Sequence, residues 1–294
     1  MTILKKPTQA DYDALRLFSE VQHFRRAPCD MQLADYLREW QLGYFVREHP
    51  TGYFMYELSE QAIVPVTYPI PHSGNRRIRK AGFSITLNKA FEEVLERCAR
   101  HRERQVEGFP ANKPWIEGRT KAFLLQANSK LHRLCHPYSS VHSLEVWQGD
   151  NLVGGTLFMQ MGGGIRSLSL FSDADNAGSA ACIARQKLLW DGGFVFHDSG
   201  TPSNAATFMG GILVPKAEAS KARQSALSMQ LSLPNIRDKV TLSELLDLKK
   251  EQENGRPFPR QECDASKGQD GGQARQNLRQ ISAGNSSGGQ ARPS

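Results

Sequence analysis

Cysteine is scarce and scattered in this 294-residue chain. The five cysteines, Cys29, Cys98, Cys135, Cys182 and Cys263, include no C-x-x-C pair. That spacing excludes a zinc ribbon, and the odd count argues against a disulfide framework, so they read as reduced and mostly buried thiols. Long apolar runs are missing too. Nothing approaches the roughly 18 residues that a membrane helix needs, and no apolar stretch follows Lys5 and Lys6 to act as a signal peptide. The expectation is a cytoplasmic protein with no membrane contact. No G-x-G-x-x-G segment follows a strand and opens a helix, so a dinucleotide site is excluded and Gly162-Gly163-Gly164 reads as a turn. What is in excess is positive charge, a formal +7. It favours a polyanionic partner such as nucleic acid without requiring one. The 39% hydrophobic content allows one sizeable core or two modest ones.

The composition changes along the chain. Residues 1–75 carry aromatics and prolines with little sustained period and read as a small N-terminal subdomain. Residues 251–294 are Gly, Gln, Ser, Arg and Asp with almost no aliphatic side chain. Such a stretch cannot offset its ordering entropy and reads as a disordered tail. Between them, 76–250 shows clear periods. Phe91, Val94, Leu95 and Cys98 predict a helix within 88–105, and a second helix fits 117–135. The period then shifts to two. Strands are predicted at 142–148, 152–161 and 165–171, the first two joined at Gly149-Asp150-Asn151. An Ala-rich helix at 176–190, a strand at Phe194-Val-Phe196, a helix at 203–209 and a strand at Ile212-Leu-Val214 follow. Thr241-Leu-Ser-Glu244 has capping-box spacing and opens a last short helix. The order predicts an α+β fold with one mixed sheet.

The meander also carries motifs: Leu131-His-Arg-Leu-Cys-His136, His142-Ser-Leu-Glu-Val-Trp147, Leu152-Val-Gly-Gly155 and Leu170-Phe-Ser172. Upstream stand Ile85-Thr-Leu-Asn-Lys-Ala-Phe91 and Lys113-Pro-Trp-Ile116. Downstream stand Asn176-Ala177 and Gly193-Phe-Val-Phe-His-Asp198. In this order and spacing the chain resembles the leucyl/phenylalanyl-tRNA protein transferase family over about residues 76–216. The resemblance implies a GNAT-like acyltransferase fold, a largely antiparallel sheet flanked by helices. It implies transfer of Leu, Phe or a similar apolar amino acid from aminoacyl-tRNA to proteins beginning with Lys or Arg, which tags them for degradation. It also implies a monomer that needs no cofactor and no metal. The sequence departs from the family where Leu168 replaces a glutamate and Gly200 a glutamine. The aromatic signature near the N-terminus is matched only by Gly52-Tyr-Phe-Met-Tyr56.

Aminolysis of an ester needs two substrates held together, an acceptor for the amine proton and donors for the developing oxyanion. The candidate carboxylates are Asp198, just after an apolar strand, and Glu145, on the meander face opposite Leu144 and Val146. The bland alternatives are a helix cap for Asp198 and a solvated or Arg-paired strand residue for Glu145. Trp115, Trp147 and Phe171 are expected around the aminoacyl group, with His142, Ser143, Ser172 and Asn176 as further substrate contacts. Plain core is the alternative for the aromatics. Arg76, Arg77 and Arg79 are the expected tRNA contacts. Arg97, Arg100, Arg102 and Arg104 alternate with glutamates and fit a solvated helix face. His132 and His136 stand at i, i+4 but lack a companion ligand motif. Two rival readings remain: a GNAT-like enzyme with another donor, disfavoured by the absence of a pyrophosphate-binding glycine loop, and a non-catalytic module that binds tRNA or protein N-termini.

Overall fold

The computed structural model describes residues 2–3, 25–27, 32–49, 52–56, 58–68, 75–101, 116, 118–128, 139–236 and 238–247. Trp115, His132, His136 and the tail 251–294 lie outside the described residues.

In chain order the elements are β1 (Thr2–Ile3), β2 (Arg25–Ala27), α1 (Leu33–Gln41), β3 (Phe45–His49), β4 (Gly52–Tyr56), β5 (Glu60–Ile63), α2 (Asn75–Lys80), β6 (Ser84–Leu87), α3 (Phe91–His101) and α4 (Gly118–Asn128). The meander follows as β7 (Ser139–Gln148), β8 (Asn151–Met161) and β9 (Gly164–Ser172). Then come α5 (Ala177–Asp191), β10 (Phe196–Gly200), α6 (Asn204–Phe208), β11 (Ile212–Pro215), α7 (Lys216–Leu227), β12 (Val240–Thr241) and α8 (Leu242–Asp247). The chain is α+β. Nine strands form one mixed sheet in the order β1-β11-β5-β10-β9-β8-β7-β6-β12, and β2, β4 and β3 form a small antiparallel sheet.

Every pairing in the large sheet is antiparallel except β9 with β10. A parallel pair needs a crossover, and α5 supplies it. This helix is buried on nearly every side, from Ala177 to Leu189. Its small side chains, Ala180, Ala181 and Ala184, let it sit close to the sheet. Ile183, Leu188 and Leu189 each add about 2 kcal/mol of burial. Gly154 of β8 permits that approach, because a Cβ there would lie 2.8 Å from the Ala177 Cβ.

The sheet separates two cores. On the α5 side Leu144, Val146, Phe158 and Ile165 pack with the helix. On the other side Val141, Leu157, Met159 and Phe171 meet Val94, Leu95 and Cys98 of α3, Leu124 of α4, and Tyr36 and Trp40 of α1. Val46 and Met55 of the small sheet belong to this second core. Glu60–Ile63, within the N-terminal stretch, is a strand of the large sheet.

The expected meander forms, with a turn at Gly149-Asp150. The expected capping box forms as well: Glu244 Oε2 accepts from Thr241 N at 2.8 Å and Glu244 N donates to Thr241 Oγ1 at 3.2 Å. Three boundaries differ from expectation. The first helix starts at Phe91 rather than 88, because Asn88 (φ 57°) turns the chain out of β6. The second is described to Asn128 rather than 135. The strand expected at 194–196 runs from Phe196 to Gly200. The apolar run there marks burial, while the ladder is carried by the backbone of polar residues. Among the elements that gave no strong period in the sequence are β6, whose four residues are too few, and α7, whose weak apolar face rests on Ala219 and Ala226.

Candidate functional site

A cavity of about 210 Å³ opens where β9 ends and α5 begins. Leu170 and Ser172 of β9, Asn176, Ser179 and Cys182 of the helix start, and Phe208 of α6 line it. Ser172 builds the corner: its Oγ donates to Ala174 O at 3.1 Å and accepts from Gly178 N at 2.9 Å. Asn176 takes a left-handed conformation (φ 67°) before the helix, and its exposed side chain makes no cap hydrogen bond. It is therefore available to a ligand. The mouth lies at the carboxyl end of β9 beside a parallel crossover, the usual place for a ligand in a sheet of this kind.

The expected site residues divide between the two faces of the sheet. Ser172 and Asn176 line the cavity. Phe171, one residue away, is fully buried on the opposite face with the Arg97 guanidinium 5.7 Å from its ring centroid. Arg97 also pairs with Glu93 and Asp173, so it sits in a solvated charge network. Ser143, Glu145 and Trp147 share the Phe171 face, as strand alternation predicts. Leu168 belongs to that face too. Leu157 pairs with Ser169 and Phe158 with Ser167, so Leu168 is the extra residue of a β-bulge and packs on the α3-side core.

Glu145 is fully buried, and its carboxylate is held by four donors: the Thr86 and Ser143 hydroxyls, and the Lys89 and Ala90 amides at 3.4 Å each. It thus closes the N-terminus of α3. Desolvation raises its pKa, and the hydroxyl and amide donors oppose the rise. Thr86 Oγ1 also receives the Trp147 indole N–H at 2.8 Å, which fixes that ring. The Lys239 ammonium lies 5.1 Å from the ring centroid. His142 bridges Asn88 Nδ2 at 2.9 Å and Ser140 Oγ at 2.5 Å.

Asp198 is fully buried on β10. Its Oδ2 accepts from Arg223 Nη2 at 3.0 Å and lies 3.9 Å from Arg166 Nε, and its Oδ1 accepts from Gly200 N at 2.7 Å. Arg223 also donates to Gln61 of β5. Arg166 donates to the Trp40 and Tyr44 carbonyls and stacks 4.1 Å from the Phe45 ring centroid. The chain therefore locks this carboxylate beneath the turn between α1 and β3. Gly200 is at φ 73°, and a Cβ there would lie 2.7 Å from Phe45. Phe45 thus fills the space that a longer side chain at 200 would need.

Arg76 and Arg77 are exposed on α2 and have no carboxylate partner among the described residues. Arg79 pairs with Asp247 at 3.2 Å and donates to the Tyr68 hydroxyl at 3.3 Å. Among the described residues no group of three His, Cys, Asp or Glu could hold a metal ion, and no helix is long and apolar enough to cross a membrane.

Sequence reasoning missed three parts of this arrangement: the Cys182 and Phe208 walls, the Arg166–Asp198–Arg223 cluster, and Arg185. One signal was available for Arg185, an arginine that follows eight small or apolar residues at the start of a helix.

A mixed sheet with one parallel crossover and a cavity at the head of the crossover helix defines the chain as an α+β protein. The family model described as Leucyl/phenylalanyl-tRNA protein transferase matches residues 62–224, more than half of the chain, and the chain belongs to that family. It is 29% identical over 178 residues to a leucyl/phenylalanyl-tRNA–protein transferase of Anaeromyxobacter sp. (strain K), covering 60% of this chain and 69% of that protein. The protein of the same name from Lawsonia intracellularis is 30% identical over 156 residues, covering 53% of this chain and 63% of its own length. The one from Pseudomonas syringae pv. tomato is 31% identical over 154 residues, covering 52% and 61%.

Proposed function

We propose that this chain is an aminoacyltransferase that moves an amino acid from aminoacyl-tRNA to the N-terminal amine of an acceptor protein. The observation that carries the reading is that the matched segment includes the whole meander, the crossover helix and the cavity between them. In this reading the domain is GNAT-like, and the cavity receives the aminoacyl group at the RNA's 3′ end. A neutral α-amine attacks the ester carbonyl, the ribose hydroxyl leaves with a proton, and a peptide bond replaces the ester. The ester is already activated, so the protein's task is to hold the reactants together.

Leucyl and phenylalanyl donors are those in the relatives' names, and Leu170, Phe208 and Cys182 offer such a side chain an apolar wall. Ser172 and Asn176 supply the polar contacts. Glu145 and Asp198 serve the reaction as positioning groups. Glu145 fixes α3 together with Ser143, Thr86 and Trp147. Asp198 fixes β10 against β5 and α7. Phe171 and His142 stiffen the meander. Arg76, Arg77 and Arg79 take the acceptor-stem phosphates. Acceptors begin with Lys or Arg and are thereby tagged for degradation, and the use of charged tRNA puts the protein in the cytoplasm.

The direct test incubates the protein with leucyl- or phenylalanyl-tRNA and a peptide beginning with Arg, read by mass spectrometry. One added residue on the peptide is expected, and no addition from any donor to any acceptor rejects the reading. Replacing Arg76 and Arg77 by alanine is expected to weaken tRNA binding and to lower the slope of log K against log salt by about 2.

A further inference from the structure

A polar layer lies between α5 and the sheet: Thr156 of β8, Ser167 of β9, His197 of β10, and Arg185 and Gln186 of α5. Arg185 is 2% exposed. Its Nη1 donates to Thr156 Oγ1 at 2.7 Å and its Nη2 meets the Met209 sulfur at 3.7 Å. Its Nε is buried without a partner, and no described carboxylate pairs with it. A guanidinium has five donors in a fixed fork, and a hydroxyl and a thioether do not neutralise it.

The rest of the layer adds no negative charge. Gln186 Nε2 donates to Pro65 O, which turns Oε1 toward His197 Nδ1 at 3.2 Å. That nitrogen therefore carries the hydrogen, and Nε2 accepts from Ser167 Oγ at 2.8 Å. His197 is a neutral imidazole. Burial, aided by the Arg185 charge, holds its pKa well below the ordinary value.

The cavity adjoins this layer. Cys182 stands three residues before Arg185 on the same helix face, Leu170 is opposite Thr156 in the strand register, and Phe208 precedes Met209. Each of these wall residues is the immediate neighbour of a group that touches the guanidinium, or of Arg185 itself.

We propose that the cavity accepts aminoacyl donors whose side chain bears a carboxylate, aspartyl or glutamyl, with Arg185 as the partner that selects them. The proposal rests on the reading of the cavity as the donor pocket. A carboxylate reaching past the cavity wall to the unpartnered Nε would pair with it and the adjacent amino group in the bidentate geometry that arginine favours. The free protein already bears the desolvation cost of the cation, so an acidic donor recovers it and an apolar donor does not. The donor range thus extends beyond leucine and phenylalanine.

The test compares transfer from leucyl-, phenylalanyl-, aspartyl- and glutamyl-tRNA to one Arg-initiated peptide in wild type, Arg185→Met and Arg185→Lys. Acidic residues are expected on the peptide with the wild type. The ratio of acidic to leucyl transfer should fall about tenfold or more in R185M and recover in part in R185K. Transfer of leucine or phenylalanine with no acidic donor used overturns the proposal and leaves the transferase reading standing. An equal loss for all donors in R185M, with unchanged unfolding temperature, also overturns it. If no donor is transferred, the transferase reading fails and calorimetric titration with glutarate and with inorganic phosphate decides the site. Glutarate binding abolished in R185M supports a carboxylate site, whereas phosphate binding alone, or neither, refutes it.

Discussion

Two buried arginine clusters lie in this sheet, and they solve the same electrostatic problem in opposite ways. Arg166 and Arg223 share the Asp198 carboxylate, and hydrogen bonds from the Arg223 fork reach Gln61 while those from Arg166 reach two backbone carbonyls. Arg185 has only a hydroxyl and a sulfur. Both sites are buried. The first holds its counter-charge, although Arg223 Nε is buried without a hydrogen-bond partner, and reads as architecture, a clamp between β10, β5, α7 and the α1–β3 turn. The second is incomplete beside a cavity and reads as a place for a ligand. Burial of charge alone is thus a poor guide to function, and the presence or absence of the counter-charge separates the two cases.

The comparison can be broken most decisively at Asp198. Asp198→Asn leaves two guanidinium groups buried with no anion, and about 3–5 kcal/mol of stability should be lost in chemical denaturation. Gly200→Ala tests the same cluster from its lid. The added methyl meets the Phe45 ring at a left-handed backbone position, which should cost about 1–3 kcal/mol. The third test uses pH. His197, buried against Ser167, Gln186 and Arg185, is held by burial and by the Arg185 charge well below the ordinary histidine pKa of about 6.5. The unfolded chain then binds the extra proton first, so stability is fully present above about pH 6.5 and falls as pH drops toward the folded value. Urea midpoints measured at stepwise lower pH should decline in the wild type and decline less in His197→Gln. A wild type no steeper than H197Q would contradict the neutral imidazole. The smallest effect is expected at the open cluster: Arg185→Met should keep or raise the unfolding midpoint of the ligand-free protein, because an unpaired cation is exchanged for an apolar chain. A loss comparable to that of D198N would mean that Arg185 is structurally paired after all.

Much of the fold was legible in the sequence. The meander, the Ala-rich helix and the Thr241–Glu244 cap follow from local periods and from turn and capping chemistry, which depend on neighbours a few residues apart. Motif order was enough to place the chain near its family. Short strands were harder. β6 and β5 are four residues each, too few to set a period, and become strands because longer neighbours offer them a free edge. Ser172 and Asn176, singled out by their motifs, line the cavity. Phe171, Glu145 and Trp147 were expected beside them, but strand alternation carried them to the other face.

The sequence by itself determined the elements, the alternation of faces and the sign of the surface charge, because each of these is set by residues close together along the chain. Only the tertiary structure decided which charges were balanced. Asp198 meets Arg223 across 25 positions and Gln61 joins them from 162 positions away, whereas Arg185 finds no carboxylate at any separation among the described residues. Coulomb attraction acts through space in a medium that burial has made weakly polar, so its bookkeeping closes only once the chain has folded.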